Sequence, residues 1–189
     1  VVIDGATDSL PCVVCDHAMS AFQVCRALLA AGHRRVGYLG HQASPFNVTN
    51  EADRFAILPA VARETGLNLD HRILPHFDER EHACEKALVE QWVHKEKITA
   101  LITSTCFLAQ VAQRMLRKND RVFQSLTYVA MDAYNLQPWP DSLPVDGTVT
   151  DRKKMGEMAF EWLTELAGKG GNWRNFIGKR VAPVVWQKG

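Results

Sequence analysis

Residues 11–40, PCVVCDHAMSAFQVCRALLAAGHRRVGYLG, decide how this chain folds. The β-branched pair Val13–Val14, just after Pro11, reads as a short strand. Asp16 stands where a helix needs a side-chain cap. From Ala18 onward the apolar residues switch to helical spacing, which places Ala21, Val24, Cys25 and Leu28 on one stripe. Gly32 supplies the left-handed residue that ends a helix, and Val36–Leu39 is a second buried strand closed by Gly40. A strand–helix–strand unit this short needs a right-handed crossover between parallel strands.

Working outward, Val1–Asp4 reads as another strand, followed by a polar loop over 5–10. Downstream, strands are predicted at 72–75, 98–103, 126–131, 148–150 and 181–186. Helices are predicted at 51–65, 81–95, 107–118 and 153–167. Pro59 falls inside the 51–65 helix and is expected to kink it or to shift its start. Strands alternating with helices give an α/β, doubly wound architecture.

The composition narrows the function. With 189 residues, 47% of them hydrophobic, the chain can fill the core of one large domain or of two lobes. A net charge of +1 without a basic stripe argues against nucleic-acid binding by this chain itself. Five cysteines scattered among apolar runs suggest reduced, buried thiols in a cytoplasmic protein rather than a disulfide framework. Neither an export signal nor a membrane-spanning run is expected. Cys12-x-x-Cys15 with His17 begins like a metal site, but no second pair follows, so neither a metal nor another cofactor is expected. The chain opens on VVID rather than Met and is expected to be a piece of a longer protein.

In open parallel sheets, ligands sit beyond the carboxyl ends of the strands. The polar residues predicted there are Asp4, Asp16, Asn50, Arg54, Phe77 with Asp78, Ser104, Thr105 and Asp132. Carboxylates accept from hydroxyls, a guanidinium donates in pairs, and an aromatic face covers the apolar side of a ring. That set suits a polyhydroxylated or heterocyclic small molecule. It lacks a nucleophile–base pair, so binding rather than catalysis is expected. Structural roles stand beside these. Asp16, Ser104 and Thr105 fit helix caps, Asp132 fits a turn brace, Arg54 a solvated helix residue and Phe77 core packing.

Several stretches then resemble one family in order along the chain. AGHRRVGYLG is similar to the AGHRRIGYLG-type signature of the lactose/galactose-repressor (LacI/GalR) family of transcription regulators. VVID resembles its strand ending in a ligand-binding aspartate, here Asp4. CDH resembles the VDN-type turn at Asp16, and EADRFAIL the helix whose arginine grips the effector, here Arg54. HFD places Phe77 where relatives carry an aromatic. LTYVAMDA places Asp132 on the effector-binding aspartate, and VDGTVTDRKKMGEMAFEWL resembles the TTVRQPxxEMGRxAxxxL helix. The chain departs from the pattern at Ser104–Thr105, where the family has Asn-Asp, and at Thr150, where it has glutamine.

The resemblance implies a periplasmic-binding-protein-like type I fold, with two Rossmann-like lobes of parallel sheet and the start of the first lobe missing. Residues 1–40 and 147–169 are expected in the N-terminal lobe, and 43–146 and 170–189 in the C-terminal lobe. The implied function is effector sensing and homodimerisation in a cytoplasmic regulator. A small molecule, most readily a sugar, would sit between the lobes at Asp4, Asp16, Asn50, Arg54, Phe77, Ser104, Thr105, Asp132 and Thr150. Operator DNA would be bound through a headpiece not in this chain. The alternatives are a purine- or nucleoside-responsive repressor and a periplasmic sugar-binding protein of a transporter.

Overall fold

The computed structural model describes residues 1–4, 9–41, 48–74, 82–116, 124–133, 142–169 and 177–188. The strands are β1 (Val2–Ile3), β2 (Cys12–Cys15), β3 (Arg35–His41), β4 (Asn68–Leu74), β5 (Ala100–Thr103), β6 (Thr127–Ala130), β7 (Asp146–Thr150), β8 (Lys179–Ala182) and β9 (Val184–Gln187). The helices are α1 (His17–Ala30), α2 (Val48–Thr65), α3 (His82–Gln91), α4 (Cys106–Leu116) and α5 (Arg152–Gly168).

The strands form two sheets. A six-stranded sheet runs β4-β3-β5-β6-β7-β9, and a three-stranded one β1-β2-β8. Every pairing is parallel except β7 with β9. Parallel strands covered on both faces must be apolar on both faces. Accordingly Val36, Tyr38, Ala100, Ile102, Val129 and Met131 point to one side, where α1 and α2 pack with Ala21, Val24, Leu28 and Leu58. Leu39, Leu101, Tyr128 and Ala130 point to the other, against Val89, Trp92 and Leu108 of the α3 and α4 layer. A separate small core joins Val13 and Cys15 of β2 to Met155, Ala159, Trp162 and Leu166 of α5 and Ala182 of β8.

The cap chemistry read from the sequence recurs in the fold. Asp16 Oδ1 accepts from Met19 N at 2.8 Å at the start of α1. Gly32 and Gly66 end α1 and α2 in the left-handed region, with φ of 90° and 80°. Pro59 sits well inside α2, which runs on past it from Val48 to Thr65, three residues longer at its start than predicted. The chain after α3 widens into a π-helical turn, Trp92–Glu96, where a plain helix to 95 was predicted. It ends on Lys97 in the left-handed region. The single predicted strand at 181–186 is two strands, because Pro183 has no N–H for a ladder and separates β8 from β9.

The two sheets divide the chain at different points from the expected 40/43, 146/147 and 169/170 boundaries. The stripe of α1 packs on β3 and α2 of the six-stranded sheet, so 17–41 lie with the large lobe. Likewise β7 joins the large sheet, while β8 pairs β2 in the small one. The chain therefore crosses between lobes at Cys15–Asp16, Thr150–Asp151 and Ala182–Val184. These crossings are tied together: Asp16 N donates to Ala182 O at 3.2 Å and Asp151 N to Pro183 O at 3.1 Å. Thr150 Oγ1 donates to Cys15 Sγ at 3.0 Å.

Among the described residues no helix is long and apolar enough to cross a membrane, and no three His, Cys, Asp or Glu side chains gather as a metal site.

His33, just past α1, gives this fold a pH dependence. Its Nδ1 lies 2.8 Å from Thr99 Oγ1, and partial burial lowers its pKa from 6.5. A folded state that holds fewer protons than the unfolded chain loses stability as pH falls. The contribution is complete above 6.5 and shrinks below it. Urea midpoints measured between pH 7 and 5 should fall with acidity in the wild type, and by less in His33→Gln.

Candidate ligand-binding site

The site is built where the large sheet ends its strands. Arg54 lies on the second turn of α2, the helix that follows β3, and is only 6% exposed. Asp132 follows β6, and its Oδ2 lies 3.7 Å from Arg54 Nη2. A buried guanidinium needs compensation, and a second carboxylate gives it: Glu51 Oε2 lies 3.7 Å from Arg54 Nη1. Glu51 in turn accepts a 2.7 Å hydrogen bond from the Tyr38 hydroxyl on β3. A Cβ at Gly40 would collide with the same carboxylate, so the glycine that closes β3 makes room for it. Burial, and next the charge of Glu51, push the Tyr38 phenol well above its usual pKa of 10.0, so it stays a donor.

The backbone around Asp132 is fixed from three sides. Met131 O accepts from Ser20 Oγ at 3.0 Å and from Thr148 Oγ1 at 2.6 Å. Cys106 N donates to Asp132 O at 2.9 Å. One strand over, Ser104 follows β5 and is 1% exposed. Among the described residues, Ser104 Oγ and Arg54 Nε are buried polar atoms without a hydrogen-bond partner. Such groups are costly unless something pairs with them.

The other expected site residues fall as follows. Asp16 caps α1 with Oδ1. Thr105 Oγ1 accepts from Leu108 N at 3.2 Å, so it caps α4. Asp4 ends β1 in the left-handed region at φ 57°, a conformation Asp tolerates better than most residues. Thr150 is 9% exposed and bonded to Cys15. Asn50 is in α2, but its side chain lies outside the described residues, as do Phe77 and Asp78 altogether.

Three residues were missed. Cys15 is where the arrangement converges. Burial raises its thiol pKa, the Thr150 hydroxyl and the Arg54 charge lower it, and Asp132 and Asp4 raise it. One sulfur thus feels residues from α2, from β7 and from the ends of β1 and β6. Glu51 was legible as an acid three residues before Arg54 on a helix. Arg152, whose Nη2 lies 3.5 Å from Asp132 Oδ2, carried no sequence signal, because the contact joins the two lobes.

Known proteins share the fold. No curated protein matches the chain as a sequence. Among solved structures, the Cra transcriptional dual regulator of Pseudomonas putida, in complex with fructose 1-phosphate, superposes with a TM-score of 0.72 at 18% identity, over 98% of this chain and 67% of its own. A periplasmic binding protein/LacI transcriptional regulator from Alkaliphilus metalliredigens, complexed with D-xylulofuranose, gives 0.70 at 14% identity, over 98% and 68%. A dimeric Lac repressor gives 0.67 at 15% identity, over 96% and 65%. The chain thus spans about two thirds of these proteins, which share the periplasmic-binding-protein-like fold. The family model for "periplasmic binding proteins and sugar binding domain of LacI family" matches residues 1–135, and the chain belongs to that family of binding proteins.

Proposed function

We propose that this chain is the effector-sensing part of a cytoplasmic transcription regulator. It binds a sugar between its lobes and changes operator binding through a headpiece that lies outside it. The observation that carries the reading is the Arg54–Asp132 pair, with Arg54 Nε and Ser104 Oγ buried and unpartnered beside it. A polyol supplies what those atoms lack. Its hydroxyls accept from a guanidinium and donate to a carboxylate in the same molecule. Arg54 is already balanced by Glu51 and Asp132, so the ligand need not bring a charge. The sugars named with the Pseudomonas putida and Alkaliphilus metalliredigens structures point the same way, and the dimeric Lac repressor supports a dimer.

The switch then works by population shift. A ligand that touches both lobes favours one arrangement over another by its difference in affinity between them, and a few kcal/mol suffices.

A thermal-shift screen tests this, using pentoses, hexoses, disaccharides, sugar phosphates and purines. A ligand present at about a hundred times its Kd adds about 2.7 kcal/mol, or about 5–10 °C in a chain of this size. A sugar hit is the expected outcome. A response to purines alone would overturn the sugar reading.

A further inference from the structure

Arg152 opens α5, one residue past the crossing at Thr150–Asp151. Its helix fills the core of the small lobe. Its guanidinium nevertheless reaches across to Asp132 of the large lobe, 3.5 Å from Nη2 to Oδ2. Arg54 approaches that same oxygen from inside the large lobe at 3.7 Å. Two guanidiniums from two lobes meet on one carboxylate oxygen. The carboxylate nearest Arg152 in sequence has a different role: Asp151 Oδ1 caps α5 by accepting from Lys154 N at 2.9 Å.

We propose that Arg152 is a positioning residue, which straps the small lobe to the large one through Asp132 and fixes how that carboxylate is presented in the cleft. The pair sits at the rim: the Arg152 side chain is 48% exposed and that of Asp132 15%. Salt therefore weakens the strap, while the more deeply buried Arg54–Glu51 pair is screened less. The proposal rests on the sugar-binding reading only in that Asp132 is the residue being positioned.

Cys15 reports on the strap without any sugar. It is 5% exposed, lies at a crossing where Thr150 Oγ1 donates to its sulfur at 3.0 Å, and feels the charges of Arg54, Asp132 and Asp4. Cys25 is fully buried in the large lobe, away from the crossings, and serves as the internal control. Its thiol is pushed up to about 11 by burial, so at about pH 8 it reacts only when the lobe itself opens.

The experiment is alkylation by iodoacetamide, resolved cysteine by cysteine by mass spectrometry. It compares the wild type with Arg152→Ala, Arg152→Lys and Arg152→Glu at low and high salt. The Cys15 rate should rise about two- to fivefold in Arg152→Ala and further in Arg152→Glu, which sets like charges face to face. Arg152→Lys should keep most of the protection. High salt should bring the wild type toward Arg152→Ala, and Cys25 should not change. An unchanged Cys15 rate in Arg152→Glu overturns the proposal. So does a rise that Cys25 shares, because Arg152 would then act on general stability. A failed sugar screen alongside a positive alkylation result would remove the ligand reading and leave the strap.

Discussion

Trp92→Ala is expected to be the most destabilising single change among those the structure brings to light, at about 3–5 kcal/mol. Trp92 is fully buried, at the point where α3 passes into the π-helical turn. It fills the large-lobe core beside Leu39, Val89, Ile98, Leu101 and Leu108. Its ring lies flush on the backbone of β3, so close that a Cβ at Gly37 would sit 2.7 Å from it. Its indole N–H also donates to Asp70 Oδ2 at 2.6 Å, so the truncation takes that donor away and leaves Asp70 with the 2.8 Å bond from His71 N to Oδ1. Against a typical total of about 5–15 kcal/mol, the loss is a large fraction, and the midpoint should fall by about 10 °C. Trp92→Phe should recover part of it. A fall of less than about 3 °C in Trp92→Ala would mean that this side of the sheet repacks freely.

The second large effect is at Arg54. Arg54→Ala removes a cation that faces both Glu51 and Asp132. Breaking a buried pair from one side costs about 3–5 kcal/mol. The low end applies here, because Glu51 keeps its hydrogen bond from Tyr38 and Asp132 keeps Arg152. Binding of the sugar found by the screen should weaken as well, by about ten- to a hundredfold for one charged hydrogen-bonding group. Calorimetry at a temperature where the variant is fully folded separates the two effects. Arg54→Lys keeps the charge without the fork of donors, so it should restore stability more than affinity. Full affinity in Arg54→Ala would place the ligand elsewhere.

How much of this was written in the sequence depends on how local the cause is. The α1 unit was legible because cap, stripe and terminating glycine all lie within 20 residues. The same local logic offered Asp16 and Thr105 as caps, and the position of Arg54 and Asp132 beyond strand ends brought both to notice before the family pattern gave them a role. The lobe boundary was not legible in the same way. A helical stripe says that α1 must bury Ala21, Val24 and Leu28, but not which sheet receives them. Pairing between distant strands likewise decided that β9 turns back antiparallel onto β7 and that β8 does not follow it. Cys15 and Arg152 escaped for the same reason: what matters about each is a partner more than a hundred residues away in one case and in the other lobe in the second. Glu51 needed only attention to helical spacing.

The central claim is that a sugar is read at Arg54 and Asp132 between the lobes. A crystal structure of the chain with the sugar found by the screen tests it most directly. Sugar oxygens are expected within about 3.2 Å of the Arg54 guanidinium and the Asp132 carboxylate, the range of a direct hydrogen bond. Ordered sugar bound anywhere else on the chain, with the Arg54–Asp132 pair untouched, would contradict it.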